Sequence, residues 1–153
     1  MKLEEAKEAA GYILGYLKPY TTQIEVVGSI RRQCAECNDV DVVLIPNDNF
    51  QKAVKELEKS IKKKGEKVII CEIDGVQYDL YICDKKNWDV IKLIRTGSQN
   101  HNKKLCQLAI RKGLKLKAGG EGLVDGKENV ISTSEKGILE NLLGKYIEPK
   151  DRI

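Results

Sequence analysis

The stretch from Ile24 to Pro46 limits the possible folds most, because it carries two carboxylates inside an apolar run. Asp39 and Asp41 alternate there with valine and leucine side chains. A strand turns successive side chains to opposite faces, so both carboxylates would share one face above an apolar face. Two like charges about 6–7 Å apart on a strand repel each other unless a cation lies between them. The pattern therefore favours a cation site, and Mg²⁺ prefers such oxygen ligands.

A Gly28-Ser29 pair followed by Arg31 and Arg32 precedes the two carboxylates. A strand that breaks at Gly-Ser and enters a helical turn directs backbone N–H groups outward, which suits an anion. Arg32 adds a guanidinium fork for phosphate oxygens. An anion site beside an acidic pair is what a nucleoside triphosphate bound to Mg²⁺ requires. The alternative is a plain loop with two solvated carboxylates, which the ordered pattern disfavours.

The first part of the chain predicts a layered α+β arrangement with a third carboxylate. Asp79 falls on the polar face of a predicted strand, and if that strand neighbours the one with Asp39 and Asp41, three carboxylates meet on the open face of the sheet. Two amphipathic helices would cover the other face. The second of these helices opens at Asp48, with Gln51 completing a capping box. The predicted elements are a helix over 3–18, strands over 24–28 and 39–45, a helix from 48 to about 64, and a hairpin of 67–73 and 76–83 turning at Asp74-Gly75.

After residue 86 the pattern changes to helices with a small Gly-rich sheet. Trp88, Ile91 and Ile94 predict the inward face of a short helix that begins after Asn87. The remaining predicted elements are a helix from Ser98 to Gly113, strands over 115–117, 122–124 and 129–132, and a last helix capped by Ser134 or Thr133. The sequence thus predicts two domains, residues 1–86 and residues 87–153, which we call the palm and the C-terminal lobe.

The basic charge is concentrated in one segment. The whole chain has a net charge of +4, whereas residues 84–117 hold ten basic and two acidic residues. Such a segment is expected for contact with a phosphate backbone, although a solvated helix face is the simpler interpretation. The sequence has no apolar run of membrane-spanning length and no signal-peptide core, so we expect a cytoplasmic or nuclear protein without membrane contact. We also expect a monomer.

Cys34 and Cys37 form a Cys-x-x-Cys, which raises the alternatives of a zinc site and a local disulfide. The chain has five cysteines in irregular spacing and one histidine, His101. This composition lacks a second ligand pair for zinc. We therefore expect two small side chains in a surface turn.

The motifs together resemble family X DNA polymerases. The first motif is Gly28-Ser29-Ile30-Arg31-Arg32, followed by Asp39, Asp41 and Asp79 in apolar strands. The C-terminal lobe is similar in three further places: Thr96-Gly97-Ser98 with Asn102, the run 111–116, and the ending 145–152, which looks like that of the polymerase beta-like members. The resemblance extends over nearly the whole chain and is to the minimal palm-plus-one-lobe form of small viral members.

The resemblance implies a nucleotidyltransferase palm, a mixed sheet with helices on one face, joined to a small α+β lobe. It implies template-directed, gap-filling DNA synthesis of the repair type from deoxynucleoside triphosphates, with two Mg²⁺ ions and Mn²⁺ as a substitute. The implied roles divide into three sets: metal binding and catalysis by Asp39, Asp41 and Asp79; nucleotide binding by Gly28, Ser29, Arg32, Gly97 and Asn102; and DNA binding by Lys103, Lys104 and Arg111.

Some features depart from the family pattern. Ile94 and Arg95 stand where relatives have aromatic residues, which predicts weaker exclusion of ribonucleotides, with Arg95 as a flexible side chain near the sugar. The 23 residues before Ile24 are too few for the lyase domain of larger members, so no lyase activity is expected. The alternative function is a small nucleotidyltransferase that acts without a template, or on RNA or protein. A non-catalytic DNA-binding module is a third, weaker hypothesis.

Overall fold

The first lobe is built on a five-stranded mixed sheet in the computed structural model, which describes residues 1–153. The strand order is β1-β2-β5-β4-β3, with β2 and β5 parallel and the other neighbours antiparallel. The predicted α+β class is confirmed. The strands are β1 (Thr21–Val26), β2 (Val40–Pro46), β3 (Ile61–Lys64), β4 (Val68–Ile73) and β5 (Val76–Ile82).

Two helices, α1 (Leu3–Leu17) and α3 (Phe50–Glu56), cover one face of this sheet. Their apolar stripes and the strand residues of matching parity form one cluster of buried side chains, as the alternation predicted. The third helix, α2 (Gly28–Arg31), is a single turn between β1 and β2. The cluster includes Ala6, Ala10, Ile13, Leu17, Phe50, Ala53, Val54, Val40, Val42, Leu44, Tyr78 and Leu80.

The predicted helix from Asp48 to about residue 64 is wrong in its second half. The helix begins after Asn49 without a side-chain cap, so the expected capping box at Asp48 is not formed. A short 3₁₀ turn, Glu58–Ser60, ends it, and the chain continues as β3. Pairing with β4 explains the difference: it satisfies backbone groups that a lysine-rich helix end would leave to solvent, and tertiary pairing outweighs local propensity. The hairpin at Asp74-Gly75 is confirmed.

The C-terminal lobe has its own buried cluster and a three-stranded antiparallel sheet. Ser98 and Ser134 each accept a hydrogen bond from the backbone N–H three residues on, and so cap α5 and α6 as predicted. None of the helices in the chain combines the length and apolar character needed to cross a bilayer. The elements are α4 (Trp88–Thr96), α5 (Gln99–Arg111), β6 (Lys115–Lys117), β7 (Gly122–Val124), β8 (Val130–Ser132) and α6 (Glu135–Leu143).

Helix α4 joins the two lobes. The predicted inward residues Ile91 and Ile94 are half-buried and pack against two different clusters of buried side chains. The sequence missed Val90 and Leu93, which are fully buried. The helix has apolar contacts on two sides, which a single-stripe pattern does not capture. Trp88 packs in a separate cluster with Val27, Val43, Ile45 and Cys83 of the palm sheet. The lobe boundary near Lys86 therefore remains a proposal.

Candidate metal and nucleotide site

Three carboxylates meet on the sheet face opposite α1 and α3. Parallel pairing of β2 and β5 sets Asp41 directly beside Asp79, and Asp39 lies just before β2 on the same face. One carboxylate oxygen from each of the three lies within 4.8 Å of the others, and no other such group of acidic, cysteine or histidine side chains occurs in the chain. The expected adjacency of the two strands is confirmed, while the roles of the three residues remain predictions.

The environment of the cluster raises the pKa of two of the carboxylates, Asp41 and Asp39. Burial, and then the charges of Asp39 and Asp79, raise the pKa of Asp41 to about 7, although a hydrogen bond from Tyr81 and the charge of Arg95 oppose this. Burial and then the charge of Asp79 raise the pKa of Asp39. Like charges at this spacing disfavour ionisation, and a bound cation removes that penalty. The donor set, all carboxylate oxygen, fits a hard cation such as Mg²⁺.

Gly28 packs directly against the carboxylate of Asp41. Its φ of +65° lies in the left-handed region, and a Cβ at this position would overlap Asp41 Oδ2. The sequence therefore needs glycine here for two reasons, conformation and space. Because Gly28 contacts Asp41, the start of α2 lies beside the acidic cluster. Ser29, the next residue, is half-buried.

Arg32 reaches from α2 to the end of α4. Its Nη1 donates a hydrogen bond of 2.6 Å to the carbonyl oxygen of Thr96 and lies close to Gly97. The sequence predicted a phosphate-binding side chain and did not anticipate this bond between the lobes. Because the other guanidinium N–H groups of Arg32 have no partner within the protein, they remain available to an anion.

Gly97 and Asn102, the other predicted nucleotide residues, lie at the same end of α4. Gly97 has a φ of +73°, and the Gly97–Ser98 peptide is cis. The side-chain amide of Asn102 donates to the carbonyl oxygen of Ile94 at 2.8 Å, whereas its Oδ1 is buried without a partner. Through Thr96 and Arg32 these residues are connected to the end of α2.

Tyr81, which was not predicted to belong to the site, contacts it, and Arg95 packs on Tyr81. The Tyr81 hydroxyl donates to Asp41 Oδ1 at 3.4 Å, and the Arg95 guanidinium lies 4.3 Å from the centre of the Tyr81 ring. Arg95 is therefore held over an aromatic face by a cation–π contact, in contrast to the flexible side chain we expected. Tyr81 lies two residues after Asp79 on the same strand, so the period-two spacing could have predicted that both side chains share one face.

A buried network of charged side chains connects the two lobes, and the sequence did not predict it. Arg31 makes a two-pronged ion pair with Glu135 at 2.7 Å, and Arg152 Nη1 contacts the same carboxylate at 3.0 Å. Arg152 is 1% exposed. Burial alone would raise the pKa of Glu135, but hydrogen bonds from both arginines lower it. No sequence pattern signals this network, because its members are 104 and 17 residues apart.

The remaining predicted positions lie away from the carboxylates. Lys103, Lys104 and Arg111 are exposed on α5. Cys34 and Cys37 are both free, as are the other three cysteines, and the Cys37 thiol donates to the carbonyl oxygen of Cys34 at 3.7 Å. The Cys-x-x-Cys thus forms neither a disulfide nor a cluster of three metal ligands. The expected surface turn is wrong for Cys37, which is buried in the core of the palm.

Comparison with known proteins gives one family. Residues 92–153 match the family model of the DNA polymerase beta thumb. No curated protein sequence matches the chain. The family match covers only the C-terminal lobe, less than the resemblance in the motifs suggested. It supports a relation to family X polymerases and, in general terms, a DNA-binding polymerase or related nucleotidyltransferase.

Proposed function

We propose that this protein is a DNA-directed DNA polymerase that fills gaps by adding deoxynucleotides to a primer 3′-hydroxyl. The observation that carries the proposal is the cluster of Asp39, Asp41 and Asp79 beside the start of α2. The thumb match in residues 92–153 supports it independently, because it concerns a different part of the chain.

In this proposal Asp39 and Asp41 would hold two Mg²⁺ ions, and Asp79 would be a further ligand on the side of the primer 3′-hydroxyl. Such paired ions stabilise the attacking and leaving oxygens of an in-line displacement. Asp79 favours loss of the hydroxyl proton, while Tyr81 orients the carboxylate of Asp41 through its hydrogen bond. The raised pKa of Asp41, about 7 in the absence of metal, supports a cation at this position.

The incoming nucleotide would lie between α2 and the end of α4. Ser29 and the free N–H groups of Arg32 would hold its triphosphate, and Gly28 leaves the space for Asp41. Gly97 and Asn102 would contact its sugar and base.

Lys103, Lys104 and Arg111 would bind the DNA backbone from α5. Each neutralised phosphate contributes a slope of about −0.9 in log K against log salt on duplex DNA. Changing all three to Glu should weaken binding to every sequence alike and flatten this slope.

The test of the function is primer extension in Mg²⁺ on three substrates in parallel: gapped DNA, single-stranded DNA primer, and an RNA primer. We expect addition on gapped DNA of the nucleotide complementary to the template. Equal addition of all four nucleotides, or addition to the single strand, would replace the proposal with untemplated transfer. No addition to any substrate would overturn it.

A further inference from the structure

A row of side chains runs across the palm sheet from the carboxylates to its edge. The strand register sets Asp41 beside Asp79, Asp79 beside Ile70 on β4, and Ile70 beside Lys63 on β3. Directly paired residues point to the same face of a sheet. Lys63 therefore lies on the face of the carboxylates, about 10 Å from Asp79 across two strand spacings.

The surface between Asp79 and the sheet edge is apolar with a cationic border. Ile70 and Val68 are half-buried on this face. Glu72 shares the face, but Lys62 neutralises it in an ion pair. Lys63 is exposed and has no ion-pair partner, so it supplies an uncompensated positive charge at the outer end of the row.

The positions of α2 and Asp79 indicate on which side of the reacting phosphorus the primer strand lies. Gly28 and Ser29 lie beside Asp41, on β2, whereas Asp79 lies one strand further toward β4 and β3. In an in-line displacement the attacking hydroxyl and the leaving group lie on opposite sides of the reacting phosphorus. With the triphosphate at α2, this arrangement directs the primer from Asp79 over β4 toward β3.

We propose that Lys63 binds a backbone phosphate of the primer strand, upstream of its 3′ end, and that Ile70 and Val68 form the surface beneath the DNA. At about 3.4 Å per phosphate along one strand, a 10 Å separation corresponds to about three nucleotides from the 3′ end. The inference rests on the proposed function, because that function places the 3′-hydroxyl at Asp79. It adds a contact from the palm to those from α5.

The experiment combines charge removal on the protein with charge removal on the DNA. A series of ~6 fluorescent hairpin primer–templates is made, each with a neutral methylphosphonate at a different one of the last ~6 primer linkages, which span about 20 Å on one strand. Its binding to Lys63→Gln and to Lys64→Gln is measured in Mg²⁺ without nucleotide. Lys64 is the matched control, because it neighbours Lys63 but pairs with Ile69 on the buried face.

We expect the wild type and Lys64→Gln to lose affinity at one linkage, about three from the 3′ end, and Lys63→Gln to be insensitive there. Lys63→Gln should also reduce the salt slope by about 0.9. Equal sensitivity of Lys63→Gln and the wild type at every linkage would overturn the inference. Extension of the same hairpin by the wild type is measured separately. Failure to extend, with the linkage profile intact, would overturn the proposed function alone.

Discussion

Replacing Asp41 with Asn should make the metal-free protein more stable at pH 8 while abolishing nucleotide addition. Asn keeps the shape of the side chain and an oxygen that can accept the Tyr81 hydrogen bond. It removes the charge that burial, Asp39 and Asp79 destabilise. Stability and activity should therefore change in opposite directions.

The magnitude follows from the pKa of Asp41, which is about 7 in the folded protein against a reference of 3.8. As pH rises above ~4, the unfolded chain loses this proton and the folded protein keeps it, so stability falls until pH passes ~7. A difference of about three pKa units corresponds to about 4 kcal/mol, which is the upper bound for the gain from Asp41→Asn at pH 8. Below pH ~4 both states are protonated and the gain should vanish.

The assay is urea unfolding of the wild type and Asp41→Asn in EDTA, at pH 8 and near pH 4, repeated with Mg²⁺ at pH 8. Mg²⁺ at about 100 times its Kd would stabilise the wild type by about 2.7 kcal/mol and should stabilise the variant less. A variant that is less stable than the wild type at pH 8 in EDTA would refute the electrostatic reasoning.

Three further predictions concern glycine, the buried network and histidine. Gly28→Ala should abolish nucleotide addition and lower the free energy of unfolding in urea more than Gly113→Ala does. Both glycines have a positive φ, but only a Cβ at Gly28 would meet another side chain. Equal losses of stability would contradict the overlap with Asp41. Glu135→Gln should lower the free energy of unfolding by about 3–5 kcal/mol, because it leaves the buried guanidinium of Arg152 and the half-buried one of Arg31 without a carboxylate. Glu140→Gln on the same helix, which is exposed, should change it by less than about 0.5 kcal/mol, and similar losses would contradict the network's role. Burial and nearby cations lower the pKa of His101 to about 4, so the folded protein should lose stability as pH falls from ~6.5 to ~4. His101→Phe should remove up to about 3 kcal/mol of this pH dependence. Parallel stability–pH curves for the wild type and the variant would contradict this prediction.

The sequence predicted the parts of the fold that repeat with a fixed period. Alternation placed Asp39, Asp41 and Asp79 on one face, and a two-residue turn signal located the hairpin. The same reasoning failed at Ile61–Lys64, where strand pairing with β4 competes with a helical pattern. A local pattern does not contain the partner strand, so it could not decide between the two structures.

The contacts between the lobes could not be predicted from the sequence, for a different reason. Arg31 and Arg32 look equivalent in the sequence, yet one is committed to Glu135 and the other to the Thr96 carbonyl. Their directions depend on how α4 and α6 pack against α2. Arg95 over Tyr81 is a similar case, because the contact joins the two lobes.

The most direct test of the proposed function is single-nucleotide extension of gapped DNA in Mg²⁺ by Asp79→Asn and Asp74→Asn. Both substitutions remove one negative charge from strand β5 or its turn, but only Asp79 belongs to the carboxylate cluster. Asp74 has a φ of +51° in the hairpin turn, a conformation that Asn also tolerates, so the control should fold normally. We predict that Asp74→Asn extends the primer at the wild-type rate and that Asp79→Asn does not extend it. Near-wild-type extension by Asp79→Asn would contradict the account.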